Sequence, residues 1–193
     1  ADRLFPEKRP IVLYNPHFSP RLSSWPTMGE DIIRQFAQDD RFNLIVAPHI
    51  RLFDNRRRRA AMEKRLADLA RMPHVHIDLG SRASVDMRYV HMASLYLGDV
   101  SSQVYEYLIE PRPCIFLNLD HRDARCETFA HWRLGQVIET MDALPAALAR
   151  ANDLQAGFLG VQEAAMRDSI DLSPIPASRR QADIILDFLK DAA

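Results

Sequence analysis

Glycine is scarce in this sequence, six in 193 residues, and none stands just after the first β-rich run. A nicotinamide-binding fold needs a glycine-rich turn there, because only residues without a Cβ let the backbone close on a pyrophosphate. The sequence therefore argues against that cofactor. Cysteine is scarcer still: Cys114 lies inside an apolar run and Cys126 in a polar connection, with no paired spacing of the zinc or redox kind. Both read as reduced thiols of a cytosolic protein. No apolar stretch approaches the roughly 20 residues that span a bilayer, and the amino end "ADRLFPEKRP" has no signal-peptide core. A net charge of −1 gives no global attraction to nucleic acid, so any phosphate binding must be local. Repeats, low-complexity segments and metal-ligand clusters are absent from the sequence. Residues 1–10 read as a linker, and with no initiator methionine the expectation is a piece of a longer chain.

What is present is an alternation. Short β-rich runs occur at 11–14 (IVLY), 43–47 (NLIVA), 74–78 (HVHID), 94–98 (SLYLG), 114–118 (CIFLN) and 136–139 (QVIE), with helical patterns near 28–38, 55–71, 84–93 and 102–109 between them. This spacing predicts an α/β fold, a doubly wound, Rossmann-like, six-stranded parallel sheet covered on both faces. After Glu139 the pattern turns helical: residues 141–151, a stretch near 160–168, and an amphipathic 178–193 capped by Ser178. These carboxy-terminal helices are expected to fold back over the sheet. The chain is long enough for one domain, 11–193, or for one half of a two-domain enzyme.

In such folds ligands sit beyond the carboxyl ends of the strands, and the residues there are polar. Asn15, His17 and Ser19 follow the first run, His49 and Arg51 the second, Asp99, Ser101 and Ser102 the fourth, and Asp120, His121 and Arg122 the fifth. A helix opening on Ser101-Ser102 leaves amide groups and a positive dipole end for a phosphate, although an ordinary cap would look the same. Glu106 falls one turn beyond Ser102 on the same helix face, and the register of a capping box does not account for it. A carboxylate there can accept both hydroxyls of a ribose. Asn55 is a predicted cap for a helix whose first turn, Arg56 to Arg59, opposes the helix dipole. That turn is either a solvated face or a contact for a polyanionic acceptor or an anionic membrane surface. Trp25 and Trp132 read as core or cleft wall.

The stretch "MASLYLGDVSSQVYEYLIEPRPCIFLNLD" resembles the carboxy-terminal nucleotide-binding half of the CDP-glycerol glycerophosphotransferases, the teichoic-acid polymerase-like family. There an apolar strand ends in Asp-Tyr-Ser-Ser, a helix follows, and a proline-containing pair precedes the next strand and an Asp. Asp99, Ser101, Ser102, Pro113 and Asp120 match that pattern, and "VAPHI" is similar to the family's strand followed by Pro-His. The similarity spans about residues 11 to 151; Val100 stands where the family has tyrosine, and "NPHF" replaces a Pro-Thr-aromatic turn.

The resemblance implies half of a GT-B transferase, its acceptor domain lying upstream, inactive alone and working in the cytoplasm at the inner face of the membrane. The donor would be a nucleotide-diphosphate substrate, CDP-glycerol or a UDP-sugar, with no separate cofactor. The acceptor would be polymer- or lipid-linked, in cell-envelope teichoic acid synthesis. Ser101, Ser102, Asp99, Arg51 and Asp120 would hold the donor with Glu106 on its ribose, backbone near residues 78–84 would read the base, and His49, with His17 in a lesser role, would move a proton or stabilise charge. The alternatives are a UDP-sugar epimerase-like domain, whose Ser-Gly-Gly turn is missing here, and a non-catalytic nucleotide-sensing domain.

Overall fold

The six β-rich runs all become strands of one sheet. The structure, a computed structural model, describes residues 4–191. The first three residues of the expected linker and the last two of the expected final helix lie outside the described residues. The strands are β1 (Ile11–Asn15), β2 (Asn43–Val46), β3 (Val75–Ile77), β4 (Leu95–Gly98), β5 (Cys114–Leu117) and β6 (Gln136–Ile138), all parallel, in the order β3-β2-β1-β4-β5-β6. The chain winds outward from β1 to β3, then returns to place β4 on the other side of β1. The order reverses between β1 and β4, and that is where such sheets leave a crevice.

Alternation along each strand explains why the runs are apolar throughout. Val12, Tyr14, Leu44, Val46, Leu97, Ile115 and Leu117 pack into one layer, and Ile11, Leu13, Ile45, Tyr96, Cys114 and Phe116 into the opposite one. Both faces of the central strands are buried, so their side chains are apolar except where hydrogen-bonded, as Asn15 and Asn43 are at strand ends.

Helix α1 (Trp25–Ala37) covers the first face with Trp25, Ile32, Ile33 and Phe36, at helical spacing. Helix α2 (Arg56–Arg65) buries no side chain, and its predicted cap is present: Asn55 Oδ1 accepts the amides of Arg57 and Arg58. The short helices α3 (Arg82–Val85), α4 (Arg88–Met92) and α5 (Gln103–Tyr107) lie in the β3–β5 connections, α4 and α5 packing on the second face through Tyr89, Val90, Val104 and Tyr107. A 3-10 segment (Glu127–Leu134) seats Phe129 and Trp132 beside them.

The carboxy-terminal region departs from expectation in three ways. Residues 141–151 and 160–168 belong mostly to one helix, α6 (Leu144–Ser169), running through Gly157 and Gly160. Two glycines cost only about 2 kcal/mol of helix propensity, less than packing at both ends of the helix provides. Its start, Leu144 to Ala151, buries on the first face and its end, Ala165 and Met166, on the second, so α6 wraps around the β6 edge. Gln162 is fully buried there and donates to the carbonyls of Arg112 (3.0 Å) and Leu134 (2.7 Å). Helix α7 (Ala177–Asp191) does not fold over the sheet: Ile184, Ile185, Phe188 and Leu189 are exposed. Pro174 and Pro176 precede it and carry the chain away from the core. Ser178 is not its cap either, because the helix begins one residue earlier.

Residues 4–10 do not hang free, since Phe5 is buried in the second layer and the Glu7 carbonyl accepts from Asn43 Nδ2.

Candidate functional site

The polar groups predicted to follow the strands divide into two clusters at the carboxyl edge. Beyond β1 and β2, the imidazoles of His17 and His49 stand 6.1 Å apart, centroid to centroid. Phe18 lies between them, 4.4 Å from His17 and 4.7 Å from His49, and the Arg51 guanidinium sits 4.3 Å over the Phe18 ring. Both rings are held alike. Ser19 N–H donates to His17 Nδ1 (3.0 Å), and Arg51 N–H donates to His49 Nδ1 (3.2 Å).

A ring whose Nδ1 accepts an amide proton carries its own proton on Nε2 when neutral. Burial and the neighbouring His49 lower the pKa of His17, and burial and Arg51 lower that of His49, so both are neutral at physiological pH. Each thus offers an Nε2–H donor and has no lone pair free to take a proton. Among the described residues neither Nε2 has a partner.

The second cluster is at the β1/β4 switch. Its crevice is lined by Arg21, Ser23 and Ser24 from the β1–α1 loop and Thr27 from the first turn of α1, by Asp99 and Val100 after β4, by Asn118, Asp120 and Arg122 after β5, and by Phe129 and Trp132. Gly98 allows the close approach of β1 here: a Cβ at that position would stand 2.8 Å from the Asn15 carbonyl oxygen. The buried Trp132 Nε1–H has no partner among the described residues.

Asp99 is 3% exposed, and its Oδ2 accepts the amides of His17 (3.0 Å) and Ser24 (2.8 Å). Burial raises its pKa to about 6 against the lowering effect of those amides, and the Asp120 charge adds to the rise. Asp120 is exposed and paired with Arg122 at 3.1 Å. His121 takes a positive φ of 51° and lies 3.6 Å from Glu139. Asn15 is spent on structure, bonding the Ala47 carbonyl and the Tyr96 hydroxyl.

Ser101 and Ser102 do open a helix, as the sequence suggests, but they differ. Ser101 is buried and its Oγ accepts from the Gln103 amide (3.2 Å). Ser102 is exposed and its hydroxyl caps nothing. The Val104 and Tyr105 amides are taken by the Ser101 and Ser102 carbonyls, so fewer donors point outward than a bare helix start would offer. Glu106 is exposed, with no hydrogen bond or ion pair among the described residues. In the loop after β3, Asp78 bonds the Gly80 and Ser81 amides and the Tyr89 hydroxyl, which fixes the shape of residues 78–81. Arg21, Thr27, Asn118 and Phe129 carry no sequence signal, since nothing in their local patterns places them at a common crevice; of the two tryptophans expected in the core or a cleft wall, Trp25 is in the core and Trp132 is both buried in the core and part of the crevice wall. Among the described residues no three His, Cys, Asp or Glu side chains gather as a metal site, and no helix is long and apolar enough to cross a membrane. Both cysteines are free thiols, Cys114 buried and Cys126 exposed.

No protein-family model matches this chain, and no curated protein matches it in sequence. Solved structures do match. The wall teichoic acid polymerase TagF is 18% identical with a TM-score of 0.65, over 99% of this chain and 46% of that one. A TagF variant soaked with CDPG gives 19% and 0.66, over 99% and 45%. Sucrose-phosphate synthase from Thermosynechococcus elongatus gives 18% and 0.55, over 96% and 47%. The UDP-GlcNAc 2-epimerase from Neisseria meningitidis, bound to UDP-GlcNAc, gives 12% and 0.52, over 83% and 40%. At such identities the likeness establishes the fold alone, a Rossmann-like domain built like part of each of these proteins. The chain spans a little under half the length of each of these proteins.

Proposed function

We propose that this chain is the donor-binding domain of a transferase that moves glycerol phosphate or a sugar from a CDP- or UDP-linked donor to an acceptor hydroxyl in cell-surface polymer synthesis. One observation carries the reading. Ser102 and Glu106, a hydroxyl and a carboxylate on one helix, are exposed and serve no structural bond, just beyond β4 at the sheet's carboxyl edge. Groups free at that place are available to a ligand. The GT-B type fold and the CDPG soak of TagF, a structural neighbour, support a nucleotide donor.

In this reading Ser102 binds a phosphate oxygen and Glu106 accepts the ribose hydroxyls. The Nε2–H groups of His17 and His49 donate to the diphosphate, where negative charge grows as the leaving nucleotide departs. Neutral Nε2–H rings suit that role better than general base catalysis, so the acceptor's proton would go elsewhere. Arg56, Arg57 and Arg58 have no side-chain partner among the described residues and would meet a polyanionic acceptor or an anionic membrane surface.

Calorimetry with CDP and UDP tests the reading, the expected result being one site, weaker for the monophosphate. Ser102→Ala should remove about 1 kcal/mol or more of the binding, as loss of a hydrogen bond to a charged group does. Glu106→Ala should weaken CDP more than pyrophosphate and leave the thermal midpoint unchanged. If both variants bind like the parent, the nucleotide reading fails.

A further inference from the structure

The loop that carries His17 is attached to the sheet in an unusual way. Residues 17–24 leave β1 and enter α1, and two of their amides, at His17 and Ser24, converge on the single oxygen Oδ2 of Asp99 at the end of β4. Within the loop, Ser19 N–H bonds His17 Nδ1 and Leu22 N–H bonds the Ser19 carbonyl, so fixing its two ends fixes the ring. Asp99 is buried and has no ion-pair partner among the described residues. A buried carboxylate without a counter-ion is a liability that an amide or an apolar residue would avoid. Its presence at the β1/β4 switch, bonded to both ends of one loop, points to a task for the charge itself.

We propose that Asp99 is a positioning residue whose ionised carboxylate holds the β1–α1 loop so that His17 stands beside His49. The assignment concerns the loop; its value to a ligand rests on the reading given above. An anionic oxygen accepts two amides more strongly than a protonated one, so protonation of Asp99 loosens both ends of the loop together. The raised pKa of about 6 puts that change at the edge of the physiological range. The titratable and charged groups around Asp99 are Tyr14, His17 and Arg21 from β1 and its loop, Asp120 and Arg122 after β5, and His131, whose ring lies against the Asp99 carbonyl. His17 and His131 have lowered pKa values, for His131 to about 4, and the tyrosine is raised.

The test is an NMR titration of the chain from pH 7.5 to 5, following the His17 and Ser24 amides and the Asp99 side-chain carboxyl carbon. All three should move with one midpoint near 6. His17→Gln should leave the Ser24 amide titration intact, which separates Asp99 from the histidine. Asp99→Asn keeps an acceptor oxygen but cannot titrate, and the Ser24 amide, which does not report on the His17 ring, should stay flat. An Asp99 carboxyl that titrates near 4 in the parent, or a Ser24 amide that still titrates in Asp99→Asn, would overturn the proposal. With CDP as probe, the parent should lose at least about threefold more affinity than Asp99→Asn between pH 7.5 and 5.5, and equal losses would count against the proposal. If the amides titrate as expected and CDP does not bind at all, the loop assignment stands and the nucleotide reading falls.

Discussion

Replacing Asp99 with asparagine should change the pH dependence of stability by a calculable amount. In the unfolded chain the carboxyl ionises near 3.8, and in the fold burial raises this to about 6. The raised value means that the folded state holds its proton more tightly. The ionised form therefore costs stability above pH 6, and that cost disappears as the pH falls through 6 toward 3.8. Full ionisation corresponds to about 3 kcal/mol, of which about 1 kcal/mol remains at pH 4.5, so the parent recovers about 2 kcal/mol between pH 7.5 and 4.5 at this site. At 3% exposure there is little solvent to screen the charge. Asparagine cannot titrate. It brings an NH2 group into a buried place at a cost of about 1–3 kcal/mol, but that cost is the same at both pH values. Urea unfolding of parent and variant at pH 7.5 and 4.5 therefore yields a difference of differences near 2 kcal/mol, the variant gaining relative to the parent at the higher pH. In thermal scans this is about 4–8 °C for a domain of this size. If the stability increment is equal at the two pH values, Asp99 does not carry an unpaired buried charge and the loop argument loses its basis.

Gln162→Leu should destabilise the chain by about 2–4 kcal/mol in urea unfolding, because the Arg112 and Leu134 carbonyls lose their side-chain donor in a buried place; a loss under about 0.5 kcal/mol would contradict the bonding. Deleting residues 174–193 should move the thermal midpoint by no more than about 2 °C while reducing self-association by light scattering, since α7 leaves Ile184, Ile185, Phe188 and Leu189 exposed. A large drop would mean that α7 packs on the core. Binding of CDP should be flat from pH 7 to 8.5, because the lowered pKa values keep His17 and His49 neutral throughout, and His49→Leu should weaken it at every pH in that range. Steep loss of affinity as the pH rises from 7 would instead indicate a charged imidazolium.

The strands were legible because the constraint on them is local and simple. A strand with helices on both faces is apolar along its middle, and runs such as IVLY and CIFL satisfy that while their flanks do not. Asn55 was legible as a cap for the same reason, since its bonds reach amides only two and three residues away. The long α6 was not, because the glycines at 157 and 160 look like a break until packing at both ends of the helix outweighs their propensity. An amphipathic pattern alone likewise could not show that α7 leaves the sheet.

The candidate site divides along the same line. Residue types after each strand were set by the sequence itself: imidazoles after β1 and β2, a carboxylate and two serines after β4, and a free glutamate one helical turn on. Which of these meet was decided by strand order. Asp99 lies 82 residues from His17 in sequence, and they touch only because β4 pairs with β1 rather than with β3. The same crossover buries Asp99 and so raises its pKa. A residue's chemistry travels with its identity, but its partners and the dielectric around it belong to the fold, because both depend on which distant segments the sheet brings side by side.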